Sequence, residues 1–414
     1  MPKTLPDYVS APEAAAVLKV SLPTLYAYVS RGLIRSEAVG GSRRARRYRR
    51  DDLERLQERQ AQRRNPGRAV QQAAARALQW GAPVLESGLT LIEDGRLYYR
   101  GQEAVHLAET HTFESVAALL WDTDAAALAA ARPPNLRPWA AALAARADPS
   151  PAAALQVVLP LAAQSDLSAY DLRPAAVRQT GARLLQTLAA AAAYPAQLAA
   201  GPLAEALAQA WAPRLPAAPR LLTAALILCA DHELNVSAFT ARCVASAGAT
   251  PYDVVIAGLA ALRGARHGGH TARVEALLDE IGAPGRAGRV LAARLQRGEA
   301  LPGFGHRLYP PPGGDPRGRH LLALAQERLP RARAVALNRA VCAEADRLLG
   351  ERPTLDFALV VLARALRLPP GAPLALFALG RTAGWVAQAL EQYALGDMIR
   401  PRARYVGVAP AGAA

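Results

Sequence analysis

Cysteine is scarce in this chain of 414 residues: Cys229, Cys243 and Cys342 are the whole set. An odd, thin set in apolar contexts excludes a disulfide framework and points to buried free thiols in a cytoplasmic protein. Aromatic residues make up only 5% of the chain, too few for a large antiparallel β protein. No uninterrupted apolar run reaches the roughly 18 residues of a membrane span. The opening Met1-Pro2-Lys3-Thr4-Leu5-Pro6-Asp7 lacks the apolar stretch of a signal peptide, so no membrane partner is expected. Lysine is almost missing. Only Lys3 and Lys19 occur among 49 basic residues, and an arginine excess beside abundant Ala, Gly and Pro points to codon bias in a GC-rich genome. What is present is apolar and helix-forming: 52% hydrophobic and 20% charged, with much Ala and Leu. The composition predicts a mainly α protein of two or three domains.

The net charge of +15 is unevenly placed. Residues 1–68 hold 15 Lys/Arg against 7 Asp/Glu, an excess of 8, so more than half of the surplus lies in about a sixth of the chain. Such asymmetry points to a polyanion partner for one end. That end reads as two capped helices. Ser10-Ala11-Pro12-Glu13 is a capping box with proline in the first turn, and Ser21-Leu22-Pro23-Thr24 opens a second helix. There Leu22, Leu25, Tyr26 and Val29 follow the spacing of a buried face, and Gly32 ends it. Gly40-Gly41 suits a hairpin turn, an arginine run follows, and Asp51-Asp52-Leu53 opens another helix. Residues 57–78 read as helix and then linker, broken at Asn65-Pro66-Gly67.

From Trp80 onward the pattern changes. Glu86–Gly101 alternates around Asp94-Gly95, a short hairpin signal. Helix after helix follows, with an Ala-rich stretch over 139–215. Polar chemistry is concentrated: His232, His267, His270 and His306 fall in one 75-residue window. Their settings are Asp231-His232-Glu233, His267-Gly268-Gly269-His270 and Gly303-Phe304-Gly305-His306. No pair has the two-ligand helical spacing of a zincin and no Cys-x-x-Cys occurs, so no metal is expected. A Gly-x-Ser-x-Gly elbow, a dinucleotide fingerprint and a Walker A sequence are all missing. What remains is acid/base work on a carbonyl substrate by imidazoles and a carboxylate, with arginines to hold an anion.

Two resemblances sharpen this reading. The segment from Ser10 to Leu56 resembles the winged helix-turn-helix of MerR-like and excisionase-like DNA-binding domains. The resemblance implies DNA as a partner through residues 1–64, with the helix Leu22–Arg31 in the major groove and an arginine wing on phosphate. Thr24, Ala27, Tyr28 and Arg31 lie off the expected buried face and would meet bases, while Arg43, Arg44, Arg46 and Arg47 would meet the backbone.

Beyond Trp80, "LCADHELNVSAFTARCVAS", "HGGH", "PGFGHRLY…DPR", "LDF", "GRTAGW" and "RPRARYVG" resemble the citrate synthase family, in order and over roughly residues 80–410. This implies citrate synthase-like helical domains, a large one over 79–268 and 369–414 and a small one over 269–368, after a linker at 65–78. It implies that His267 hydrogen-bonds the thioester carbonyl of acetyl-CoA while Asp356 removes a methyl proton. His306 would polarise and protonate the ketone of oxaloacetate. His232, Arg317 and Arg381 would bind oxaloacetate or citrate, and Arg400 would reach in from the other subunit of a homodimer. Acetyl-CoA enters as a substrate and no cofactor is expected.

The chain departs from the family in three places. His270-Thr271-Ala272 stands where Ala-Asn-Glu is usual, Pro310–Gly314 is a longer loop lacking the usual lysine, and Ala358-Leu359 replaces Tyr-Ser. Two other functions stay open: a 2-methylcitrate synthase using propionyl-CoA, and a transcriptional regulator that uses the fold as a metabolite sensor.

Overall fold

The computed structural model of the protein describes residues 8–39, 42–49, 52, 53, 56, 84–129, 131–403 and 405–408. The expected Gly40-Gly41 turn and the helix and linker expected over 57–78 lie outside these residues. The chain divides into two compact units, Met1–Glu86 and Ser87–Ala414.

The first unit runs β1 (Tyr8–Ser10), α1 (Ala11–Leu18), α2 (Leu22–Ser30), β2 (Ser36–Val39) and β3 (Ser42–Arg49). The capping box forms as expected: Glu13 accepts from both the Ser10 N–H and Ser10 Oγ, each at 2.8 Å. The sheet order is β1-β3-β2, all antiparallel. A core of Val9, Ala14, Ala15, Leu18, Leu25, Ile34, Tyr48, Leu53 and Leu56 holds the unit together. Asp52 accepts from the Arg35 N–H and from Arg35 Nε, both at 2.9 Å, which ties Asp52, beside the core residue Leu53, to the chain before β2.

One expectation is corrected here. Leu22 and Tyr26 are 40% and 51% exposed, so they do not belong to the buried face of α2. The stripe that packs is Leu25, Tyr28 and Val29, which keeps the i, i+3, i+4 rule but is rotated about the helix. Leu22 and Tyr26 lie one turn apart on the side of α2 that the small core, which takes Leu25 with Leu18 and Ile34, leaves to solvent.

The second unit opens with β4 (Thr90–Glu93), β5 (Arg96–Tyr99) and β6 (Gln102–Glu103). Asp94 and Gly95 turn the β4–β5 hairpin at φ 49° and 72°, as their dipeptide requires. Helices follow: α3 (Ala104–Thr110), α4 (Phe113–Trp121), α5 (Ala125–Ala129), α6 (Ala140–Ala144), α7 (Pro151–Ser165), α8 (Pro174–Ala193) and α9 (Leu203–Trp211). Next come α10 (Ala218–Cys229), α11 (Val236–Ser246), α12 (Pro251–Leu262), α13 (His270–Ile281) and α14 (Ala287–Gln296). The last are α15 (Pro316–Arg328), α16 (Arg333–Leu349), α17 (Leu355–Leu366) and α18 (Ala372–Leu395). The fold is mainly α.

Helix α18 is the central post of this unit. It packs against α8, α10, α11 and α12 and is buried on every side over much of its length, as its Ala-, Leu- and Gly-rich sequence allows. Among the described residues no helix is long and apolar enough to cross a membrane.

Candidate active site

Four helix starts and the middle of α18 supply the polar groups. Asn235 caps α11, with its Oδ1 accepting from the Ser237 and Ala238 N–H groups at 3.1 Å. Asp315 caps α15 through the Arg317 N–H at 3.0 Å. Thr354 precedes α17, whose first turn carries Asp356. His267 sits in the turn before α13, and His306 in the loop before α15. Catalytic groups at such places are held by the cap itself, since the cap fixes where the backbone enters the helix.

Arg381 reaches the site from within α18 because glycine lets the helices approach. A Cβ at Gly384 would stand 2.2 Å from the Ala230 carbonyl oxygen and 2.6 Å from Asp231 Oδ1. One at Gly380 would stand 2.5 Å from the Leu226 carbonyl oxygen. Gly384→Ala is therefore expected to destabilise the protein by about 1–3 kcal/mol, read from its urea unfolding midpoint. The β4–β5 hairpin supports the same loop from the other side. Tyr99 Oη donates to the Ile227 carbonyl at 3.0 Å, and Thr90 Oγ1 donates to the buried Asp231 at 2.6 Å.

His232 and His306 meet with ring centroids 5.4 Å apart, edge to face. Tyr309 bridges them: its Oη lies 2.9 Å from His232 Nε2, and its ring lies 5.0 Å from that of His306. The Leu308 N–H donates to His306 Nδ1 at 3.2 Å, so the proton of neutral His306 is on Nε2, a donor toward substrate. His267 Nε2 lies 2.8 Å from Ser237 Oγ. The Ser237 hydroxyl donates to Asn235 Oδ1 at 2.8 Å, so Ser237 Oγ accepts from His267 Nε2 and the ring proton of neutral His267 is on Nε2.

Arg317 is buried and forks onto Asp315 through Nε at 2.9 Å and Nη2 at 2.8 Å. Asp315 also accepts from the Leu355 N–H at 3.1 Å, which locks the start of α17 to that of α15. Arg381 differs. Its Nε donates to the Cys229 carbonyl at 2.7 Å, while Nη1 and Nη2 are buried with no hydrogen-bond partner among the described residues. A buried guanidinium edge left bare is costly and calls for an anion. Asp356 Oδ1 is likewise buried with no hydrogen-bond partner among the described residues.

The electrostatics follow from this burial. Burial pushes the Asp356 carboxyl up to about 7, against the pull of Arg317. Burial, with Arg381 and Arg317, lowers His267 to about 3. Burial and Arg317 lower His306 to about 4, and His232 falls well below its usual value for the same reasons. Near neutral pH the site thus holds neutral imidazoles, two cations and a carboxyl poised to exchange its proton. Such displacement of several groups at one place is typical of catalytic sites. Among the described residues no cluster of His, Cys, Asp or Glu could hold a metal ion.

His232, Arg317 and Arg381 therefore stand with His267, His306 and Asp356 in one electrostatic neighbourhood. Arg400 does not join them; it is exposed and makes no hydrogen bond or ion pair among the described residues. Sequence reasoning assigned no role to Asn235, Ser237, Tyr309 or Asp315. Asn235-Val236-Ser237 and Asp315-Pro316-Arg317 carry helix-cap signals that mark two of them. Beside the site, the loop Pro310–Gly314 rims a groove of about 800 Å³ lined by Arg319, Arg339 and Arg352.

In the first unit Arg31, Arg46 and Arg47 are exposed, and Arg43 and Arg44 lie on β3 ahead of Arg46 and Arg47. Arg47 is held by Glu37 at 3.0 Å and stacks 4.3 Å from the Tyr8 ring centroid. Thr24 Oγ1 lies 2.9 Å from Ser21 Oγ at the helix cap. Tyr28 packs against the core, while the exposed aromatic on α2 is Tyr26.

Residues 77–402 match the family model described as citrate synthase, C-terminal domain. Residues 8–61 match that of a helix-turn-helix domain. The chain is 42% identical over 187 residues to a putative citrate synthase 2 of Mycobacterium tuberculosis, covering 44% of this chain and 49% of that protein. It is 36% identical over 186 residues to citrate synthase 2 of Bacillus subtilis, covering 44% and 50%. The chain thus spans about half the length of the curated relatives it matches. The crystal structure of citrate synthase from Thermotoga maritima is similar to it with a TM-score of 0.68 and 26% identity, covering 79% of this chain and 94% of that one. That from Pyrobaculum aerophilum is similar with a TM-score of 0.68 and 25% identity, covering 79% and 91%.

Proposed function

Because this chain belongs to the citrate synthase family, we propose that it condenses acetyl-CoA with oxaloacetate and water to give citrate and CoA. We propose also that its helix-turn-helix unit binds DNA. The observation that carries the first reading is the buried Arg381 edge, bare at Nη1 and Nη2, in a site whose carboxyl titrates near 7.

Arg381 takes a carboxylate of oxaloacetate, with Arg317 and His232 adding to the field that holds it. Asp356 abstracts a proton from the methyl group of the thioester, which needs a basic, poorly solvated carboxylate. His267 hydrogen-bonds the thioester oxygen as negative charge gathers there, and a neutral imidazole suits that task. The new carbon nucleophile attacks the ketone of oxaloacetate, and His306 Nε2 gives its proton to the ketone oxygen as the carbon–carbon bond forms. Water then hydrolyses the thioester and releases CoA. The arginine-lined groove at Pro310–Gly314 takes the nucleotide end of the acyl-CoA, supplying charge where the family's usual lysine is missing. Residues 269–368 close over the site, which excludes water during enolisation. Arg400 acts in the partner's site of a homodimer; the exposed side chains of Met398, Tyr405 and Val406 in the same segment support a covering partner.

Release of free CoA thiol from oxaloacetate plus acetyl-CoA or propionyl-CoA tests this. Turnover faster with acetyl-CoA is the expected result. Faster release from propionyl-CoA would assign a 2-methylcitrate synthase instead, and no release at high substrate would overturn the enzyme reading in favour of a metabolite-sensing regulator. For the first unit, binding to duplex DNA is followed by fluorescence anisotropy. If four arginines meet phosphate, affinity falls by roughly 10²-fold between 50 and 200 mM salt. Replacing Arg43, Arg44, Arg46 and Arg47 by Ala should remove most of that dependence. Binding that ignores both changes would exclude phosphate contacts by the wing.

A further inference from the structure

His270 has no part in the reaction set out above, yet it is placed to govern it. It is the first residue of α13, three positions after His267. Its Nε2 accepts from the Gly303 N–H at 2.9 Å, and its ring also hydrogen-bonds the Ala265 carbonyl. Since Nε2 is the acceptor, the proton given to Ala265 is on Nδ1. One imidazole therefore ties the turn that carries His267 to the loop that carries His306.

Gly303 continues the connection. Its carbonyl accepts from the Thr354 N–H at 2.8 Å and from Thr354 Oγ1 at 3.2 Å, just before Asp356. The Gly305 N–H donates to the Arg352 carbonyl at 3.0 Å, and Phe304 forms an antiparallel bridge with Pro353. Gly303 has φ +87°, and a Cβ there would stand 2.9 Å from both Phe357 and Val274 side-chain atoms. Only glycine suits that conformation and that space. A single residue thus receives hydrogen bonds from the Asp356 side and gives one to the His267 side, while its own loop carries His306.

We propose that His270 is a positioning residue: through the Gly303 N–H it holds the His306 loop in register with His267 and Asp356, and only its neutral form can do so. This rests on the reaction proposed above for the assignment of the three groups, though the tether is independent of it. Protonation at Nε2 would set one N–H against another and open the tether. Burial and the nearby Arg273 lower the His270 pKa, so the tether is kept at neutral pH and lost only on acidification. Arg273, one turn along α13, is the charged group that faces the ring; Ala265 and Gly303 face it with backbone atoms.

His270→Gln provides an acceptor that does not titrate, and His270→Ala provides none. Amide hydrogen exchange at Gly303 reads the tether without reference to activity. Exchange is expected to be at least tenfold faster in His270→Ala than in the wild type at pH 7.5, with His270→Gln restoring much of the protection. In turnover, His270→Ala should lower kcat by 10- to 100-fold, with KM for oxaloacetate changed less than threefold, and His270→Gln should recover kcat to within about fivefold. The acid limb of log kcat should steepen toward a slope of two in the wild type and stay at one in His270→Gln. Unchanged Gly303 exchange in His270→Ala would overturn the proposal even in an active enzyme. Faster exchange in a protein whose wild type shows no turnover would leave the tether standing and overturn the reaction reading.

Discussion

Asp356→Asn should reduce thioester turnover by roughly 10²–10⁴-fold, the range expected when a positioned base is removed, while the fold survives. The substitution keeps the shape of the side chain and deletes its ability to take a proton. Two further results belong to the same experiment. In the wild type, kcat/KM should fall on the acid side with a midpoint near pH 7, because the carboxyl is pushed up to about 7 by burial and works only when ionised. The sign for stability is opposite. The folded state keeps this proton up to about pH 7, whereas an unfolded Asp releases it at roughly pH 4. The folded state therefore binds more protons across that interval, so this group makes the protein less stable as pH rises from about 4 to 7 and keeps it so above. Asp356→Asn removes the penalty. Its Tm should exceed that of the wild type by a few degrees at pH 8 and match it at pH 4. A variant both inactive and less stable at pH 8 would mean that Asp356 is structural.

Arg381→Met carries the second large effect. Losing a buried cation that pairs with a substrate carboxylate costs about 3–4 kcal/mol, so KM for oxaloacetate should rise by roughly 10²–10³-fold. KM for the acyl-CoA should change little. In the free protein the same cation is a burden, since Nη1 and Nη2 have no hydrogen-bond partner among the described residues and burial lowers its pKa. A thioether of similar length removes that charge at the loss of one hydrogen bond to Cys229. Thermal stability should be at least that of the wild type. Oxaloacetate binding unaffected by this change, measured by isothermal calorimetry, would remove Arg381 from the substrate site.

Sequence pattern carried the mainly α architecture because Ala- and Leu-rich segments broken by proline leave few alternatives. His267, Arg317 and Asp356 could be named from short motifs because each lies at or beside a helix start with recognisable cap residues, whereas Arg381 lies within α18. What pattern missed had a common physical cause. The face of α2 was misplaced because Leu22 and Tyr26 share a helical stripe that the small core does not reach. His270 drew no role because its partner is a backbone N–H 33 residues away, and side-chain types say nothing of that. Asp315 and Ser237 escaped notice because they act through other side chains, as the fork on Arg317 and the hydroxyl at His267 show.

The two hydrophobic cores described above share no residue. A substitution on the basic wing therefore leaves the packing that seats Arg381 and Asp356 untouched, and a substitution in α18 leaves the capped helix pair untouched. Inheritance can act on each separately. The surface of one unit can drift while the core of the other is conserved, because no residue has to satisfy both packings at once.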